Sequence, residues 1–265
     1  MRLNWIVLPA LLAAAALTTS CSTAGSRSAV DPAQAEVVRN VDPAAMAVIG
    51  KMSDYLESQP RLRFVLFDSV DRPGDSGIPV EFNHKRTVTL QRPDRLRIDV
   101  VGDVEQENFY YDGKTVNIEL LKDSVYAKAE TAGTIDAMLD DMATRYQVRR
   151  PASEIIRTGI AKRVEAAVHR AVNLGPSTIR GVECDHVALS GPVADWELWV
   201  EKGDRPVPRK LLIRYRASQG AERYTMQVES VETPASLDAK LFEFSPRADM
   251  EEIPFETPAA KKAGN

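Results

Sequence analysis

The tripeptide Cys184-Asp185-His186 sets a thiol, a carboxylate and an imidazole side by side. Nucleophilic catalysis and metal sites are built from these groups. The surrounding residues read as a strand, whose side chains alternate between two faces. Cys184 and His186 then share one face while Asp185 points away, so no relay forms locally. A metal ion would need further ligands, and His84 and His169 are the remaining imidazoles of the chain. The expectation is a structural role for the tripeptide. The chain also lacks a serine nucleophile elbow, a metalloprotease helix, a phosphate loop and a dinucleotide fingerprint. Asp136, Asp140 and Asp141 fall in the first half of an expected helix, where its dipole favours negative charge. These residues point to a non-enzymatic protein, with no catalytic residue, metal or cofactor.

Cys21 offers different chemistry. Met1-Arg2 is a short positive start, and Ile6 to Leu17 is an apolar stretch rich in Leu and Ala. That stretch is too short for a confident membrane span and has the grammar of an export signal. Thr18-Thr19-Ser20-Cys21-Ser22 follows it and resembles the lipobox of bacterial lipoproteins, whose cysteine is lipidated and becomes the mature N-terminus. The usual leucine stands three residues before that cysteine; here Thr18 takes the place and Leu17 lies one further back. Cleavage after Ser22-Thr23-Ala24, giving plain secretion, and an uncleaved anchor are the alternatives. With Cys21 lipidated, Cys184 has no partner in the chain and is expected as a buried free thiol. Ser22 resembles the residue that directs such lipoproteins to the outer membrane. The expected organisation is a signal peptide over 1–20, a flexible tether over 21–40, one domain over 41–256 and a polar tail over 257–265.

The elements of that domain follow from periodicity. Asp42-Pro43 is a cap followed by a preorganised first helical residue, and Ala45, Ile49, Met52 and Leu56 keep helical spacing up to Gln59-Pro60. From Arg61 the period becomes two, with Phe64, Leu66 and Asp68 on one face. Asp71 to Gly77 reads as a loop. Strands are expected over 85–91, 95–101, 107–111, 114–120 and 125–129, with Asp112-Gly113 a strong hairpin signal. Thr134 can cap a helix whose Ile135, Met138, Leu139, Met142 and Tyr146 form one apolar stripe. Short helical turns near Pro151 and over 160–167 follow. Strands resume over 168–174, 182–189, 196–201, 208–216 and 222–232, and Phe242 and Phe244 form a last anchoring segment. Trp196 and Trp199, three apart, belong on opposite faces of their strand, and Tyr110 and Tyr111 alternate likewise. The links are too short for parallel connections, which predicts an antiparallel meander.

The chain's 265 residues, 44% of them hydrophobic and 27% charged, suffice for one large core. The net charge of −4 excludes a chain-wide electrostatic footprint for nucleic acid. Charge is uneven, however: seven basic residues lie between Arg145 and Arg170, and eleven acidic residues between Asp99 and Asp141. A solvated helix face explains the basic run, and a lip for anionic phospholipid headgroups is the functional alternative.

Several phrases carry a resemblance. They are Arg92-Pro93-Asp94-Arg95-Leu96-Arg97, Phe109-Tyr110-Tyr111-Asp112-Gly113-Lys114-Thr115, Gly181-Val182-Glu183-Cys184-Asp185-His186, Trp196-Glu197-Leu198-Trp199-Val200 and Pro208-Arg209-Lys210-Leu211. In this order, from about Asp42 to Ile253, the chain resembles a family of predicted periplasmic proteins related to the lipoprotein carriers and receptors of the LolA/LolB type. The resemblance implies a mostly β (α+β) fold, a curved antiparallel sheet forming an unclosed half-barrel covered by helices. Together with the lipobox-like Thr18 to Ser22, the expectation is a non-enzymatic cell-envelope lipoprotein on the periplasmic side, anchored through Cys21 at the outer membrane. An acyl chain or other apolar ligand would lie between sheet and helical lid, as in a lipid or lipoprotein carrier. The expected lining is Leu96, Ile98 and Leu198 from the strands with Ile135, Met138, Leu139 and Met142 from the lid. The alternative is a structural or interaction lipoprotein of the same fold with a filled core.

Overall fold

The Asp42 carboxylate makes two contacts at once. Its Oδ1 accepts from the Ala44 backbone N–H at 2.8 Å, capping helix α1 (Pro43–Ser58), and its Oδ2 accepts from the Asn173 N–H at 3.1 Å. One carboxylate therefore sets the helix start and ties it to an edge strand. The computed structural model describes residues 39–73, 78–131, 133–148, 150, 152–216 and 223–255. The expected signal peptide, Cys21, nearly all of the tether and the polar tail lie outside them.

After α1 come β2 (Arg61–Pro73), β3 (Pro79–Gln91), β4 (Arg95–Gly102), β5 (Gln106–Tyr111), β6 (Thr115–Leu120) and β7 (Val125–Glu130). The helical insertion follows: α2 (Ile135–Arg145), a 3-10 turn (Ser153–Ile156) and α3 (Ile160–Ala167). Then come β8 (Arg170–Ile179), β9 (Val182–Ser190), β10 (Ala194–Glu201), β11 (Pro208–Tyr215) and β12 (Arg223–Glu232). With the two-residue strands β1 (Asn40–Val41) and β13 (Glu251–Glu252), they form one unclosed sheet in the order β1-β8-β9-β10-β11-β12-β2-β3-β4-β5-β6-β7-β13. The β12–β2 pairing joins the two halves.

The expected helix, half-barrel and helical cover are all present, with four differences. β8, expected to end at Leu174, runs on to Ile179. The residues at 71–73, expected as loop, extend β2, because the hairpin stays paired down to Asp71–Glu81 and Arg72–Val80. Its partner strand starts at Pro79, six residues before the expected Lys85. The pairing is also not antiparallel throughout: β1 runs parallel to β8 and β13 parallel to β7. Both are two-residue strands laid along β8 and β7, where they cover part of an otherwise open edge.

Turns follow their local chemistry. Asp112 Oδ1 accepts from the N–H groups of Lys114 and Thr115 at 2.9 and 2.8 Å, while Gly113 takes the left-handed conformation at φ +87°. Aspartate and glycine each do what this tight turn requires.

Alternation puts inward residues of β2 to β7 into rows across the sheet. Leu62, Leu90, Leu96, Tyr111, Val116 and Ala129 form the first. Phe64, Val88, Ile98, Phe109, Ile118 and Ala127 form the second. Both rows are buried and wholly apolar apart from the Tyr111 hydroxyl, which donates to the Gly133 carbonyl at 2.7 Å. The outer face is separate. Trp199 lies there with Cys184 and Leu212, whereas Trp196 packs on the inner core, as the three-residue spacing predicts. Tyr110 and Tyr111 divide the same way, and Phe244 packs on Tyr110 and Tyr126 with ring centroids 5.4 and 5.1 Å apart.

Candidate functional site

Helix α2 lies across one end of β4 to β7. Its cap, Thr134, accepts from the Ala137 N–H at 3.2 Å, and the Ile135 N–H reaches the Pro93 carbonyl in the β3–β4 turn at 2.8 Å. At the other end Arg145 donates to the Glu130 carbonyl at 3.1 Å. Between these ties the stripe points into the half-barrel. Met138 is 0% exposed, Ile135 1%, Met142 2% and Leu139 9%.

Leu96 and Ile98 belong to the same continuous core as this stripe. Leu198 is also on the inner face, but four strands separate β10 from β4, about 24 Å across the sheet at 4.8 Å per strand. It lies on the wing covered by α1. The structure thus buries all seven expected lining residues in one apolar core and puts Leu198 under the other helix.

The insertion is fastened to itself and the sheet by charge. Arg157, 5% exposed, contacts Asp140 at 2.9 Å and Glu154 at 3.2 Å, and Thr158 donates its hydroxyl to Asp136 at 2.6 Å. Arg163 pairs with Glu154 at 2.7 Å and Arg145 with Asp141 at 2.9 Å. Much of the basic run at 145–170 therefore meets carboxylates of this protein. α3 is also held from α1: Ser53 donates to Glu57 and accepts from the Ala161 N–H at 3.2 Å.

Periodicity did not single out a polar floor on the inner face. The third row reads Leu66, Arg86, Val100, Glu107, Leu120 and Val125, and beyond it come Asp68, His84 and Gly102. The Asp68 carboxylate accepts from Arg86 Nε at 2.6 Å and from the Tyr224 hydroxyl at 3.0 Å, and lies 3.2 Å from His84 Nδ1. Burial alone would raise the Asp68 carboxyl; contacts with His84 and Arg86 outweigh it and hold it below the usual value. Burial and the same carboxylate push the Tyr224 hydroxyl well above its ordinary range. Glu107 is ion-paired with Arg150 from the insertion, whose guanidinium also lies 5.3 Å from the Phe109 ring centre. The available signal was charge in apolar phase: Asp68 follows Phe64 and Leu66, and Glu107 precedes Phe109 and Tyr111.

Cys184 is a buried free thiol, raised above its ordinary value by burial. His186 stacks on Trp199 with centroids 4.1 Å apart and contacts Glu197 at 3.0 Å. Asp185 pairs with Lys202 at 3.2 Å on the opposite face. The tripeptide therefore serves packing and surface pairing. A cavity of about 240 Å³ lies nearby, lined by Ile179, Arg180, Val182, Arg209, Val228 and Glu229, away from α2.

No curated protein matches this chain significantly. Solved structures resemble this chain at low identity and with TM-scores below 0.5. The Mycobacterium tuberculosis lipoprotein LppX is 15% identical with a TM-score of 0.48, covering 74% of this chain and 100% of its own. An uncharacterized conserved protein from Thermus thermophilus is 9% identical with a TM-score of 0.48, covering 80% and 99%. The LolA superfamily protein NE2245 from Nitrosomonas europaea is 11% identical with a TM-score of 0.38, covering 76% and 97%. Sequence gives the stronger link: residues 45–256 match the family described as predicted periplasmic protein (DUF2092), and the chain belongs to that family.

Proposed function

We propose that this protein is a non-enzymatic envelope lipoprotein, anchored through Cys21 at the periplasmic side of the outer membrane. In this reading the half-barrel accepts an acyl chain or another apolar ligand when the insertion lifts, as a lipid or lipoprotein carrier would. One observation carries it: the inward face of α2 consists of four buried apolar side chains, two of them flexible methionines, on a helix tied to the sheet at its two ends. Withdrawing four such side chains costs about 6–12 kcal/mol at about 1.5–3 kcal/mol each. A chain of about twelve methylenes contributes about 10 kcal/mol on burial at about 0.8 kcal/mol each. These two figures concern the α2 stripe alone; the buried Val148, Ile155, Ile156 and Ile160 add to the cost of lifting the whole insertion.

A filled core in a structural or interaction lipoprotein is the second reading. It is favoured by the low exposure of the expected lining, 9% or less at every position. The variant Met142→Trp separates the two. In a carrier it weakens binding of fatty acids or phospholipids while the fold persists. In a filled core it destabilises by about 1–3 kcal/mol through overpacking. Native mass spectrometry of protein purified from envelopes, with no retained lipid and no binding across chain lengths and headgroups, would remove the carrier reading.

A further inference from the structure

We propose that the apolar ligand of this half-barrel carries an ammonium group at one end, received by Glu107. The inference rests on the apolar-ligand reading above and adds the chemistry of the headgroup. The inner face is itself amphipathic. Its first two rows are apolar and lie toward the α2 end, and its charged residues begin in the third row. From the first row to the third is four residues along a strand, about 13 Å at about 3.3 Å per residue. A ligand lying along the strands therefore has its chain over Leu96 and Ile98 and its head beside Glu107 and Arg86.

The two buried carboxylates of the floor are held differently. Asp68 has its partners within the sheet: Arg86, His84 and Tyr224 are all strand residues. Glu107 is paired with Arg150, which belongs to the insertion. When that segment leaves, it takes the guanidinium with it. Asp68 keeps Arg86, His84 and Tyr224, while the Glu107 carboxylate is left in an apolar setting without the guanidinium that faced it. An occupant with a carboxylate head would add to this charge, and an alcohol would supply a single donor. An ammonium supplies a positive charge and three donors, replacing what Arg150 withdraws. The nearby Phe109 ring, over which Arg150 lies, can accept a ligand cation in the same way.

Calorimetric titration of the purified full chain with dodecylammonium, dodecanol and dodecanoate tests this at one fixed salt concentration. Dodecylammonium should bind at least tenfold more tightly than the other two. Glu107→Gln should remove that preference while leaving dodecanol unchanged, and Arg150→Gln should tighten dodecylammonium severalfold by removing its competitor. Circular dichroism melts establish that each variant folds; should Glu107→Gln not fold, Arg150→Gln carries the comparison. Dodecanoate binding as tightly as dodecylammonium, or a preference that survives Glu107→Gln, overturns the headgroup inference and leaves the apolar-ligand reading standing. Absence of binding by all three overturns both. Preference for a short-chain phosphatidylethanolamine over its phosphatidylglycerol counterpart supports a phospholipid source; preference confined to dodecylammonium supports a free amine.

Discussion

Arg150 and Glu107 form an ion pair that joins the helical insertion to the inner face of β5, with side chains 15% and 6% exposed. It lies in the third row of the sheet, beyond the two apolar rows. Association of the insertion with the sheet therefore combines two unlike contacts: an apolar stripe at the α2 end and a buried charge pair beyond it. The stripe needs no counter-charge, whereas the pair is sensitive to the loss of either member.

That asymmetry predicts a double-mutant cycle. Arg150→Met alone should destabilise by about 3–5 kcal/mol, because it leaves a buried carboxylate uncompensated. Glu107→Leu together with Arg150→Met should recover most of the loss, since an apolar pair carries no such penalty. Urea unfolding of the four proteins measures the coupling. A double variant as unstable as Arg150→Met would show that the pair is not what matters.

Most of the fold was legible because its strands alternate cleanly and its turns carry glycine, proline and aspartate at telling places. Asp42-Pro43, Asp112-Gly113 and Thr134 each mark a boundary by local chemistry, and the structure shows the hydrogen bonds responsible. The β2–β3 hairpin was less legible, since Asp71-Arg72-Pro73 is loop-like in composition yet paired. The ion pair of Asp71 with Arg223 at 3.3 Å and that of Arg72 with Glu105 at 3.1 Å link it to other parts of the chain. The polar floor was hidden for a related reason. Asp68, His84, Arg86 and Glu107 are unremarkable singly in sequence, and only the register of β2 to β5 brings them together. Leu198 shows the converse: inward phase is readable from a strand, but which helix covers it depends on strand order.

Acid should act through Asp68. Its carboxyl is held below the ordinary value of 3.8, so its contribution is fully present above that pH and is lost as pH falls through the folded value. Glu197, held down by Arg214 and His186 against the opposing effect of burial, acts in the same direction. Stability followed by urea midpoints should fall as pH drops below about 4. Asp68→Asn should be less stable than wild type at pH 7 and show a shallower fall. Parallel profiles would assign the acid sensitivity to other groups.

Cys21 and Cys184 should differ in chemistry. The buried Cys184 thiol should react with a thiol reagent only as fast as the domain opens, with labelling accelerated by denaturant. If Cys21 is the lipidated N-terminus, protein from membranes should show one titratable thiol after unfolding and a mass exceeding that of the cleaved chain. Cys21→Ser should then move the protein to the soluble fraction. Unchanged fractionation and mass would favour plain secretion.

Gly102 should be intolerant of a side chain because of what lies opposite it. A Cβ there would run into His84 Cδ2 and would lie 2.7 Å from the Asn83 carbonyl oxygen. The ring is not free to retreat: His84 is 3% exposed, with Nδ1 3.2 Å from Asp68 and Nε2 3.8 Å from Glu105. Gly102→Ala should therefore destabilise by about 1–3 kcal/mol, the range for overpacking a dense site. His84→Ala in the same chain should relieve the ring clash while leaving the one with the Asn83 carbonyl, so rescue should be partial. If Gly102→Ala melts with wild type, the β3–β4 pair has slack that this geometry does not contain. If His84→Ala restores stability completely, the backbone contact is immaterial and the ring alone enforces glycine.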